Sequence, residues 1–364
     1  MLYLFIDTPA AEAAAYCYIN CECKMHIRRN NMKMKPTCYI ANEVRPEVYS
    51  GIPAFLGADV AKTKEDIKGH DFAVMGAPWE GTCTFGGYTG VELAPKAIRT
   101  ASARYGGYLP DYDFDFYDHA TMCDYGDCAT KNGDYNFTFE SVRNYMRDIV
   151  SAGAIPITFG GDHSLSFPLI EAFAEKYHGK IGVIHFDAHM DNSEEYGGEE
   201  RARCCPFRRV YDIPGFNPKN LVSVGIHGPR NHYDSIKTAK KYGATVIPYY
   251  QLREDGWKKT IHRAIEIAGK GVDAIYVTVC SDGMDIAFNP GADADACGMS
   301  SFEMAMMLHE CGLAGAKGFD YMEVVPPLDR NNVSGHVACY LTVYMLTGMA
   351  QRIAEEKKKD SLQA

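Results

Sequence analysis

The chain has 364 residues, 46% of them hydrophobic, and a formal net charge of -10. The acidic balance argues against a nucleic-acid partner, which would favour a basic face, and suits a small cationic ligand. No apolar run approaches the roughly 18 residues needed to span a membrane, so no membrane partner is expected.

The length exceeds the usual single-domain size, but α/β folds of this length often remain one domain. Thirteen cysteines are scattered along the chain with no paired CxxC framework. An odd count without an export signal points to reduced thiols and a cytoplasmic location.

Residues 1–34 carry little pattern. Asp7 and Glu12 interrupt the apolar start and no basic stretch precedes it, which argues against a secretory leader. This segment is expected to be an extension ahead of one α/β domain over residues 35–364. From Asp71 onward, apolar runs alternate with helical patterns. Phe72 to Gly76 is the first expected core strand, and residues 94–104 a helix with Pro95 in its first turn. Phe139 to Ser151 is helical, with Gly153 ending it. Ile155 to Phe159 is a strand, and Gly160-Gly161-Asp162-His163-Ser164 turns into a helix over 165–176. A strand over 181–186 runs into a long polar loop at 190–206. Strands over 221–226 and 244–247 flank a helix at 232–242. Helices at 257–269 and 300–311 precede strands at 274–279 and 316–325, and a helix at 335–356 closes the chain.

This alternation predicts a three-layer α/β/α fold with a mostly parallel central sheet. Ligand sites in such sheets collect at the carboxyl ends of the strands. Asp162 and His163, Asp187 to Asp191, Cys280 to Asp285, and Glu323 all fall at or near such ends. Asp187, His189 and Asp191 stand at i, i+2 and i+4, which in an extended chain points them to one side about 7 Å apart. Two carboxylates and an imidazole so spaced suit divalent cations. The competing reading is a strand that leaves the sheet through polar loop residues.

The quoted motifs then carry a resemblance. Gly160-Gly-Asp-His163-Ser, His185-Phe-Asp-Ala-His-Met-Asp191 and the later Asp-bearing strand end resemble the ureohydrolase family of arginases and agmatinases. Gly76-Ala-Pro-Trp-Glu-Gly, Tyr49-Ser-Gly-Ile-Pro-Ala-Phe and Pro95-Lys-Ala-Ile-Arg99 are similar to the agmatinase branch. The resemblance runs from about residue 46 to 352. It implies an arginase-like fold and two divalent ions, Mn2+ expected, held by His163, Asp187, His189, Asp191, Asp282 and the residue at 280. It also implies that Glu323 takes the substrate guanidinium, and that Asp191 holds the nucleophile and passes a proton to the leaving nitrogen. Asp162 and Ser164 would support the turn.

Three stretches depart from the family pattern. Cys280 falls where the family has a bridging aspartate. As a ligand, its thiolate would bring Zn2+, Ni2+ or Fe2+ into consideration beside Mn2+; as an inert buried thiol, it would leave one ion weakly held. These two readings stand side by side. Arg203 replaces a histidine credited with proton transfer, and arginine does not shuttle protons near neutral pH. Its guanidinium suits a carboxylate, which makes it a substrate-binding candidate. Cys204 and Cys205 beside it are expected in a solvated loop. Finally, Tyr88 and Glu92 stand where relatives often carry arginines.

The resemblance implies hydrolysis of a guanidine C–N bond to urea and an amine, with agmatine giving putrescine as the leading case. Another guanidino compound such as guanidinobutyrate is the alternative. A third reading is a non-catalytic assembly or regulatory protein on the same fold. A homo-oligomer, trimer or hexamer, is expected from the resemblance.

Overall fold

A computed structural model describes residues 54–363 except 83, 85, 86, 88, 293 and 294. The expected extension at 1–34 and the departure at Tyr88 lie outside the described residues. Nine parallel strands form the main sheet: β1 Asp59–Val60, β2 Phe72–Ala77, β3 Met122–Asp127, β4 Ile155–Gly160, β5 Ile181–Phe186, β6 Leu221–Ile226, β7 Thr245–Pro248, β8 Ala274–Cys280 and β9 Gly318–Met322. Their spatial order is β1-β3-β2-β4-β9-β8-β5-β6-β7. The larger helices are α1 Ala94–Ser102, α2 Tyr135–Ala152, α3 Ser166–Lys176, α4 Tyr233–Tyr242, α5 Trp257–Ala268, α6 Ser301–Leu313 and α7 Val333–Gln363.

The sheet is covered on both faces, as an all-parallel sheet requires. Successive residues of β2 feed opposite cores. Phe72 and Val74 belong to the core that α1, α5, α6 and α7 also enter, whereas Ala73 and Met75 belong to the core that α2 and α3 enter. This is the expected three-layer α/β/α architecture. Among the described residues, no helix is long and apolar enough to cross a membrane.

Most expected elements form with shifted ends. Asp134 caps α2, its carboxylate accepting from Phe137 N at 2.9 Å, so the helix starts before Phe139. Gly153 ends it in the left-handed region, φ 91°, as the sequence suggested. The last strand stops at Met322 because Glu323 leaves the sheet with φ 63°. No sequence signal marked β3, whose polar Asp-Tyr-Gly-Asp end hides it. Only Met122 and Cys123 are buried apolar chain, and the buried Asp124 serves a different purpose. Its carboxylate accepts from Arg99 Nε and Nη2, both at 2.8 Å, and so ties α1 to the sheet through a buried forked pair.

The order matters for function. β4, β9, β8 and β5 are consecutive neighbours at the middle of the sheet. Their carboxyl ends bring His163, Glu323, Cys280 with Asp282, and the Asp187 to Asp191 run to one place. Thr278 of β8 stands in register with both His185 of β5 and Asp320 of β9.

Candidate metal centre

After β4, the chain turns sharply at Gly160-Gly161. A Cβ on Gly161 would lie 1.8 Å from the Trp79 carbonyl oxygen, so only glycine allows this approach. Asp162 then caps the turn, accepting from Ser164 N at 3.1 Å and Gly81 N at 2.6 Å. Asp162 and Ser164 are thus turn supports, as expected. The next residue, His163, is completely buried.

His163 Nδ1 lies 3.1 Å from Asp187 Oδ2 and 2.9 Å from Asp191 Oδ2. Across Asp187, His189 Nδ1 lies 3.5 Å from Asp187 Oδ1 and 3.2 Å from Asp282 Oδ2. Two imidazole–carboxylate sets therefore share Asp187, one oxygen each. Asp191 adopts φ 42° and Glu323 φ 63°, an uncommon conformation for side-chain-bearing residues that collects at functional sites.

The electrostatics show what this cluster lacks. Burial opposes charge on His163, but hydrogen bonds to Asp187 and Asp191 outweigh it and hold the imidazole well above its ordinary range. Burial, reinforced by Asp187, raises Asp191 to about 6. Asp282 Oδ1 is buried without a hydrogen-bond partner among the described residues. Carboxylates gathered this closely need positive charge, and protons on the imidazoles supply part of it. The hard oxygen and imidazole donors match divalent ions. The site residues therefore fit such a group.

Cys280 is 2% exposed and lines the same cavity as His189, Asp191, Asp282 and Glu323. Burial, followed by the fields of Asp187, Asp282, Glu323 and Asp191, pushes its thiol well above the ordinary value. The thiol is thus neutral unless a cation offsets those carboxylates. Asp285, by contrast, is away from the cluster. It accepts from Ala287 N at 2.8 Å and Cys297 N at 2.6 Å, and organises the turn after β8.

Glu323 Oε1 accepts from His163 N at 2.9 Å. Its Oε2 accepts from Arg203 Nη1 at 3.2 Å, while Arg203 Nη2 donates to Glu80 Oε1 at 3.1 Å. Arg203 comes from the 190–206 loop, which packs inward here. Arg203 is 4% exposed and Cys205 fully buried, while Cys204 sits on the cavity wall with its sulfur 3.8 Å from that of Cys205. The expectation of a solvated loop fails for these residues because Phe207 anchors the segment. Its ring lies 3.8 Å from that of His185, and its N–H donates to Asp191 O at 3.0 Å.

Several site residues had no distinct sequence signal. His185 Nε2 donates to Asp187 Oδ2 at 2.8 Å, and the ring forms a possible donor group with His163 and Asp187. Its position two residues before Asp187 was visible, but its inward direction inside an apolar strand was not. Thr278 Oγ1 donates to Asp320 Oδ1 at 2.6 Å and lies 3.2 Å from His163 Nε2. Arg230 Nη2 lies 3.0 Å from His189 Nε2 and 2.6 Å from Asp295 Oδ2. These contacts depend on strand order and loop folding. A cavity of about 640 Å³ opens above the cluster, its wall including Arg203, Arg230, Glu194, Glu195 and Asp234.

A parallel α/β/α sheet that gathers these donors at four adjacent strand ends defines an α/β enzyme built around a candidate metal centre. Comparison with known proteins narrows the class. The Arginase family model matches residues 70–348. Proclavaminate amidinohydrolase of Streptomyces clavuligerus is 30% identical over 308 residues, covering 84% of this chain and 96% of that protein. Its solved structure superposes with a TM-score of 0.76 at 28% identity, covering 84% of this chain and 99% of that one. The mitochondrial guanidino acid hydrolase of Homo sapiens is 28% identical, covering 78% of this chain and 79% of that protein. An agmatinase of Chromobacterium violaceum is 28% identical, covering 84% and 90% respectively. The chain belongs to the arginase family, and is a hydrolase acting on linear amidines.

Proposed function

We propose that this hydrolase cleaves the guanidine C–N bond of a small guanidino compound, releasing urea and an amine, with agmatine to putrescine as the leading reaction. The observation that carries the reading is the pair of imidazole–carboxylate sets sharing Asp187 beneath Glu323. His163, Asp187, His189, Asp191 and Asp282 would hold the ions, with Cys280 on the wall of the same cavity as the further donor the reading calls for. Mn2+ is the ion expected from the family resemblance and suits the carboxylate donors; the Cys280 sulfur would admit Zn2+, Ni2+ or Fe2+. When bound, such ions ionise water near neutral pH and act as Lewis acids.

The chain's own residues supply the rest. Glu323 pairs with the substrate guanidinium and fixes its carbon over the cluster. Asp191, its carboxylate 2.9 Å from His163 Nδ1 and on the cavity wall, is placed to hold the water's proton and return it to the leaving nitrogen. The water oxygen adds to the guanidinium carbon, the C–N bond breaks, and the amine leaves with that proton. Glu194, Glu195 and Asp234 on the cavity wall favour the cationic tail of agmatine. A second reading, a guanidino acid such as guanidinobutyrate, is favoured by Arg230 on the same wall. Assembly into a trimer or hexamer belongs to the same proposal and is read from the solution mass.

The test is urea release from agmatine, arginine, guanidinobutyrate and guanidine after reconstitution with each candidate metal. Agmatine should be preferred. Preference for guanidinobutyrate would select the second reading, and no urea from any of them with any of the metals would refute both.

A further inference from the structure

The carboxylate assigned to the substrate guanidinium already holds a guanidinium. Arg203 Nη1 donates to Glu323 Oε2 at 3.2 Å, and the same side chain reaches Glu80 through Nη2 at 3.1 Å. Asp162 Oδ2 lies 3.8 Å from Nη2. Arg203, Glu80 and Glu323 side chains are 5%, 6% and 9% exposed, so water competes little for these contacts. Glu80 is itself fixed by three donors: Thr89 N and Oγ1 at 2.8 Å, and Gly90 N at 2.9 Å. It therefore offers Arg203 a rigid second anchor.

We propose that Arg203 is an internal competitor for the guanidinium position, a specificity-determining residue that a guanidino ligand must displace from Glu323. The inference rests on the proposed role of Glu323 in guanidinium binding. Displacement does not strand the Arg203 charge, because Glu80 keeps its Nη2 contact and Asp162 is close enough to take part. What Arg203 loses at Glu323 is subtracted from the binding free energy of any guanidino ligand that takes its place. Apparent affinity is lowered by the fraction of molecules in which Arg203 holds the carboxylate. The arrangement also assigns Arg203 a partner other than a substrate carboxylate, since both of its terminal nitrogens face protein carboxylates.

The probe is guanidinium chloride at millimolar concentration, titrated calorimetrically into the full chain at matched chloride. Wild type, Arg203→Gln and Arg203→Lys are compared. Lysine keeps the charge but loses the fork, so it carries the test if the glutamine variant folds poorly. Arg203→Gln should bind guanidinium at least tenfold more tightly than wild type, the size of one charge-assisted hydrogen bond, with Arg203→Lys also tighter than wild type. Adding Glu323→Gln to either variant should abolish the gain. Equal or weaker binding in both folded variants, or a gain that survives Glu323→Gln, would overturn the proposal. The readout needs no turnover, so absence of urea release would count against the proposed reaction while leaving this inference to stand or fall by binding. In active protein, KM for guanidino substrates should fall in Arg203→Lys by more than kcat changes. A selective rise in KM for guanidino acids alone would instead mark Arg203 as a carboxylate grip and refute the competitor role.

Discussion

Replacing Thr278 with valine keeps its shape and removes one hydroxyl at the base of the site. That hydroxyl donates to Asp320 Oδ1 at 2.6 Å, so its lone pair faces His163 Nε2 at 3.2 Å. The chain thereby places a proton on Nε2 and leaves Nδ1 to face Asp187 and Asp191. Ser166 Oγ donates to Asp320 Oδ2 at 3.1 Å and remains in the variant. Thr278→Val therefore strips one contact from Asp320 and one from His163, both fully buried, and the 3.2 Å contact with Ser166 Oγ, which keeps Asp320 as its partner. At ~1–3 kcal/mol for each buried group left without its partner, the expected loss of stability is ~2–6 kcal/mol. Loss of the contact that orients a ligating histidine typically weakens metal binding 10–100-fold, or ~1.4–2.7 kcal/mol. Urea unfolding of the ion-free protein gives the first quantity, and competition with a chelator gives the second. A folded variant with unchanged metal affinity and a stability loss under about 0.5 kcal/mol would refute the idea that Thr278 and Asp320 orient His163.

Three further outcomes follow from the same geometry. Cys280→Asp should raise manganese affinity relative to zinc, by about tenfold or more, because a carboxylate replaces a sulfur donor; equilibrium dialysis with elemental analysis checks this, and unchanged preference would remove Cys280 from the ligand set. Metal affinity should rise with pH through the neutral range, because His163, held protonated above its usual range by Asp187 and Asp191 against the effect of burial, must lose a proton for a cation to bind. Calorimetry in buffers of different ionisation enthalpy should detect proton release at neutral pH, and its absence would contradict the predicted protonation. Gly161→Ala should cost about 3 kcal/mol or more in chemical unfolding, since its Cβ would meet the Trp79 carbonyl oxygen at 1.8 Å; wild-type stability would show that the turn yields.

The sequence exposed the parts of this molecule that repeat a local rule. Buried parallel strands such as Ile181–Phe186 are continuous apolar runs, and the turn glycines punctuate them, so the layer architecture was legible. The Asp187 to Asp191 spacing was equally legible, because strand geometry alone sends those side chains to one side. β3 was hidden because half of it is polar, and Asp124 makes sense only once Arg99 has been brought across from α1. Thr278 and Asp320 were invisible as a pair for a similar reason. Residues 42 positions apart become neighbours only through the register of β8 with β9. Arg203 was visible as a departure, but its partners were not, because loop residues obey no period that would say which way they turn.

Cys280 and Arg203 line one cavity and change its charge in the same direction. A thiol pushed well above its ordinary value is neutral where the family resemblance implies a carboxylate, and a guanidinium stands where it implies an imidazole. Both changes weaken the pull of the cavity on cations, at the metal position and at the guanidinium position respectively. Both are also reversible on binding. With Cys280 as a ligand, a metal ion would lower the cost of ionising its thiol and restore the missing negative charge. A guanidino ligand restores Glu323 by displacing Arg203. On these proposed roles the site would keep its full negative charge only when a cation is there to use it. This limits the mutual repulsion of Asp187, Asp191, Asp282 and Glu323 in the ion-free protein. Cys280→Asp should remove that restraint at the metals alone and Arg203→Gln at the guanidinium position alone. Each variant, ion-free, should unfold at lower denaturant than wild type yet bind its own cation more tightly.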